Sequence, residues 1–127
     1  MKNFMRSILV MTVAVVLVAG AGSFVDAVAA PGSYDGVWSV VVYTLRGDCD
    51  RALRYSVRIA GGRVFSEDPS YRAYGAVGAG GAISVTVARG KSSASGSGRL
   101  IRDGGRGVWH TSTGECTGQW TAERRPW

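Results

Sequence analysis

Histidine is nearly missing from this chain, with His110 the single example, and cysteine is confined to Cys49 and Cys116. These shortages exclude several chemistries. Two cysteines and one histidine, with no C-x-x-C, C-x-x-C-H or H-E-x-x-H spacing, are too few for a metal or haem centre. A hydrolase would need a nucleophile, a base and an orienting group, and no G-x-S-x-G elbow occurs. His110 sits between Trp109 and Thr111, where strand alternation turns it away from Trp109 and toward solvent. The acidic pair Glu67-Asp68 falls in a loop beside Pro69, where carboxylates are ordinarily solvated. The glycines lie between strand-like segments with no helix after them, so none forms a phosphate loop or a dinucleotide turn. The chain is therefore expected to be non-enzymatic, with no catalytic residue, metal or cofactor.

Helical periodicity is lacking after residue 30, and the chain has one long apolar run. Ile8–Ala19 spans twelve residues without a charge, after Lys2 and Arg6. A permanent membrane span needs ~20 such residues. Small residues follow, and Ala27-Val28-Ala29 is an A-x-A cleavage pattern. Residues 1–29 thus read as a signal-peptide helix and residues 30–127 as the mature domain, exported to the periplasm or beyond. No transmembrane anchor remains after processing.

Residues 30–127 keep 13 of the 15 Lys and Arg and 8 of the 9 Asp and Glu, a net charge of +5. Twelve of those cations are arginine. Such a balance permits contact with an anionic envelope polymer, and no motif for specific nucleic-acid recognition accompanies it. Arg54 and Arg58 share a strand face, and Arg99 and Arg124 are expected to point outward with them as an anion patch.

Period-two alternation fills the rest of the chain. Tyr55, Val57 and Ile59 alternate with Arg54, Ser56 and Arg58, and Ile83, Val85 and Val87 with Ser84 and Thr86. Val37–Leu45 is apolar on both faces, which suggests a strand covered on both sides or set beside a partner. Gly61-Gly62, Gly80-Gly81, Arg89-Gly90-Lys91, Gly104-Gly105 and Thr113-Gly114 are expected turns. Strands are predicted at 37–45, 53–60, 62–66, 72–78, 81–88, 93–101, 106–112 and 115–124. Eight short strands with short links favour a small antiparallel up-and-down barrel or a strongly curled meander, with a two-sheet sandwich as the alternative.

The cysteines fit the closed form. In an eight-stranded meander barrel the first and last strands pair antiparallel, so the end of the first lies beside the start of the last. Cys49 and Cys116 occupy those positions, and a disulfide there suits an oxidising compartment.

Three G-x-W units recur at Gly36–Trp38, Gly107–Trp109 and Gly118–Trp120. Each glycine shares a face with its tryptophan and leaves a gap that a neighbouring ring can fill. Gly96 and Gly98 make a similar shelf. The same residues permit a second reading, a cavity lined by Trp38, Tyr55, Trp109 and Trp120 that takes a small apolar ligand.

These features resemble a group of small exported bacterial β proteins with a G-x-W start and one disulfide. The resemblance is carried by Tyr34–Val40, Cys49-Asp50, Arg54–Ile59, Gly98–Leu100 and Gly114–Arg125. It covers nearly the whole mature chain, implies an exported β domain and assigns no activity. In architecture alone the chain also looks like a lipocalin or a periplasmic inhibitor of secreted metalloproteases. It lacks the lipocalin T-D-Y motif, and its cysteines are far apart where the inhibitors' are close. The expected function is binding of a partner protein or small ligand in the cell envelope. Two alternatives are a protease inhibitor plugging an enzyme with a loop or with the N-terminal segment around Tyr34, and a structural protein laying an Arg-rich face on anionic polymer.

Overall fold

The computed structural model describes residues 33–126; the expected signal segment lies outside them. Eight antiparallel strands close into a barrel in sequence order. They are β1 (Gly36–Arg46), β2 (Ala52–Ala60), β3 (Arg63–Ser66), β4 (Arg72–Val77), β5 (Ala82–Arg89), β6 (Ser92–Ile101), β7 (Gly104–Thr111) and β8 (Thr117–Arg124), with one 3-10 turn at Ala79–Gly81 before β5. The barrel, not the sandwich, is the observed form. Alternation places one face of each strand inside, and β1 closes on β8 through pairs such as Val40↔Ala122 and Val42↔Trp120. No helix among the described residues is long and apolar enough to cross a membrane. The outward faces of β2, β5 and β8 carry mostly polar or small residues, whereas β1 also presents Tyr43 and Leu45 outward.

Successive turns fall at alternate ends. Residues 61–62, 78–81 and 102–103 lie at one end with both termini of the described chain, and residues 47–51, 67–71, 90–91 and 112–116 at the other. Cys49 and Cys116 are bonded at that second end, with Cα atoms 6.2 Å apart. Gly47 makes the approach possible: a Cβ there would stand 2.7 Å from Cys116 Sγ, and its φ of +100° suits glycine.

Two expectations need correction. Gly104-Gly105 is not a turn; it opens β7, and the reversal falls on Arg102-Asp103, with Arg102 at φ +58°. Gly105 serves packing instead, because a Cβ there would sit 2.5 Å from Leu100 Cδ2. The outer face of β1 is not covered along its length either. Val37 is buried and its carbonyl accepts the Arg125 backbone N–H, but Tyr43 and Leu45 are exposed.

Candidate ligand site

The G-x-W units explain the wall formed by β7 and β8. Register sets Gly107 opposite Trp120 and Trp109 opposite Gly118. Each indole therefore lies where its neighbour's glycine has no side chain. A Cβ on Gly107 would stand 2.7 Å from the Trp120 ring, and one on Gly118 2.7 Å from Trp109 Nε1. Trp120 reaches further, over the shelf of β6, with Cβ positions of Gly98 at 2.7 Å and Gly96 at 3.3 Å from its ring. Ring-on-glycine packing is thus present on this wall.

It does not fill the barrel. A cavity of about 440 Å³ runs along the interior, lined by all four expected residues, Trp38, Tyr55, Trp109 and Trp120. Its size falls in the range of small-molecule sites. Aliphatic side chains that the sequence reading did not single out complete the walls: Val40, Val42 and Leu53 from β1 and β2, Val85 and Val87 from β5, Ala94 from β6. Their inward parity was legible, and the small-residue run Ser92–Gly98 was the signal that one wall has little bulk to contribute.

The floor lies at the end carrying the termini. There Trp38 and Leu100 are each 1% exposed and Ile59 2%. Trp38 Nε1 donates to the Tyr34 carbonyl at 2.9 Å, and the Arg124 guanidinium stacks 5.1 Å above the Trp38 ring. Toward the other end the inward residues Val42, Leu53, Val87 and Ala94 are only half-buried. Thr44, Asp48, Asp50, Arg89, Ser92 and Thr111 form the mouth there. All charged lining groups lie at this mouth.

Tyr71 buttresses the mouth side. Its ring meets Tyr55 edge-on at 4.9 Å, and its hydroxyl donates to the Ser56 carbonyl while accepting the Ser56 N–H. Burial holds its phenol above the ordinary tyrosine value, more than the Ser56 hydrogen bond lowers it. In the neighbouring loop, Asp68 is held below the usual carboxylate value, first by the Ser70 backbone N–H and then by the Ser70 side chain. Arg89 adds a weaker attraction.

The four arginines do not form one patch. Arg54 and Arg58 lie together on the outside of β2, and Arg58 pairs with Glu67 at 2.8 Å. Arg99 is on β6, the opposite side of the barrel in strand order, where it donates to the Gly80 carbonyl. Arg124 does not point outward. It shares the parity of Trp120 and Ala122, and at the barrel rim its long chain carries the guanidinium over Trp38 to Asp103, at 2.9 Å, and to the Asp35 carbonyl. His110 is exposed, on the outer face of β7. No protein-family model matches the chain, and no curated protein is significantly similar to it.

Proposed function

We propose that this chain is an exported, non-enzymatic binding module whose barrel holds one small apolar ligand in the cell envelope. The observation that carries the reading is the 440 Å³ cavity, apolar along its walls, sealed at one end and polar at its mouth. Transfer of an apolar ligand into such a space is driven by release of its surface from water. For the inhibitor alternative the segment around Tyr34 is not presented, because Tyr34 packs against the core and its carbonyl is held by Trp38; a plug would have to come from an exposed mouth loop such as 47–51. The polymer alternative would need the four expected arginines on one face, and Arg54 and Arg58 lie across the barrel from Arg99 while Arg124 turns over Trp38.

Export rests on residues 1–29. Chain extracted from the envelope is expected to begin at Ala30, and intact Met1 on that material overturns this part of the reading. The ligand part is tested with N-phenyl-1-naphthylamine, whose emission rises in apolar surroundings. The wild-type barrel should bind it saturably, with energy transfer from the lining tryptophans. Ala94→Phe, which places a ring in the cavity, should weaken binding by about tenfold or more through steric exclusion, with the melting temperature held within a few degrees. No saturable binding by the wild type rejects the proposal.

A further inference from the structure

The three interior tryptophans share a fold position but not a hydrogen-bond state. Trp38 Nε1 donates to the Tyr34 carbonyl and Trp109 Nε1 to the Tyr43 carbonyl, each at 2.9 Å. Trp120 is 8% exposed, and its Nε1 has no hydrogen-bond partner among the described residues. Buried indole N–H groups normally find an acceptor. The ring also has little freedom to seek one, since it lies on Gly96, Gly98 and Gly107 with its Nε1 over Gly96. Trp120 and Gly96 both line the cavity.

We infer that the ligand of this cavity carries a neutral hydrogen-bond acceptor, a carbonyl or ether oxygen, that takes the Trp120 indole N–H. The inference rests on the reading of the barrel as a ligand-binding module and specifies the ligand's chemistry. Water entering an open cavity can satisfy the N–H in the free protein. A ligand that displaces this water must bring an acceptor or leave a buried donor unpaired. The acceptor is neutral because Trp120 is walled by glycine and apolar side chains, while the lining charges, Asp48, Asp50 and Arg89, are at the mouth. An ionised carboxylate beside Trp120 would be buried without a counter-charge. The ligand class is therefore an uncharged apolar molecule with a ketone, ester or ether oxygen set within its body.

The test uses two probes of nearly equal shape, 2-acetylnaphthalene and 2-isopropenylnaphthalene, which differ in a carbonyl oxygen against a methylene. Each is titrated into wild type and Trp120→Phe, which removes the donor and keeps an aromatic ring. The ketone-to-alkene affinity ratio should be roughly tenfold higher in wild type than in the variant. In 1H–15N spectra of the wild type, one indole N–H resonance should lie further downfield with the ketone bound than with the alkene bound. An unchanged affinity ratio with no ketone-specific shift overturns the inference and leaves the ligand reading standing. Failure of both probes to bind wild type removes the ligand reading and the inference with it. If Trp120→Phe does not fold, the wild-type indole shift decides, with its presence supporting the inference and its absence overturning it.

Discussion

The two ends of the barrel are built from the same alternating pattern and reach opposite outcomes. At the end carrying the termini, two of the three turns have two residues, Gly61-Gly62 and Arg102-Asp103. The chain on either side of the barrel then folds over the opening. Tyr34 packs against the core, and Arg124 lies across Trp38 while reaching Asp103 and the Asp35 carbonyl. At the other end, three of the four connections have five residues, and they border the opening without filling it. The disulfide joins two of those loops, 47–51 and 112–116, and the inward side chains nearby stay half-buried. Apolar side chains pointing inward thus make a core only where something covers the strand ends; elsewhere they make a cavity.

If the open end is held by covalent linkage and the sealed end by packing, the two respond differently to substitution. The largest effect is expected at the bridge. Its 67-residue separation gives up to ~4 kcal/mol in the chain-entropy model, and 2–4 kcal/mol is the usual range for such bonds. Cys49→Ala with Cys116→Ala should lower the melting temperature by about 10–25 °C in differential scanning calorimetry. A loss of only a few degrees would mean that the open end is stabilised by its loops without the bridge.

A smaller effect is expected at the sealed end. Arg124→Met keeps a flexible chain over Trp38 but removes the cation and its hydrogen bonds to the Asp103 carboxylate and the Asp35 carbonyl. Its side chain is 21% exposed, so these contacts are partly shielded from water. A loss of about 1–2 kcal/mol is expected in urea denaturation. Faster hydrogen exchange confined to the β6–β7 turn and the Asp35 segment should accompany it. Exchange that rises equally at the mouth would mean that the ends are not independent.

The smallest effect separates the partners of that arginine. Asp103 is 77% exposed on its side chain, so its half of the ion pair is screened by water. Asp103→Asn should cost under about 0.5 kcal/mol in the same urea measurement. A cost matching that of Arg124→Met would assign the arginine's contribution to the surface ion pair and not to its stacking on Trp38 and its backbone contacts.

The sequence was legible wherever parity was enough. All eight strands were expected within about two residues of their bounds, and the Cys49–Cys116 pairing followed from the even strand count. The four aromatic residues expected at the cavity do line it. Arg124 was misplaced although its parity with Trp120 and Ala122 was visible, because a charged residue was assumed to face water. Gly104-Gly105 was misplaced because a glycine pair can serve a turn or make room for a side chain, and only Leu100 on the neighbouring strand distinguishes the two. The arginine patch failed for a third reason. Alternation assigns a residue to the outside but not to a sector, and closure puts β2 and β6 on opposite sides.

By itself, then, the sequence determined which side of each strand faces inward, how many strands there are and how the cysteines meet, because these follow from a period of two and the direction of successive strands. The G-x-W spacing likewise determined that rings and gaps share a face. What only the tertiary structure decided is the depth of each inward residue along the barrel axis. Val42 and Ile59 are both aliphatic inward positions that line the cavity, yet Val42 is half-buried toward its open end and Ile59 is 2% exposed at its floor. That difference depends on which turns and chain ends close over each opening, and on whether volumes from opposite walls meet. Both are properties of the closed barrel and of no single strand.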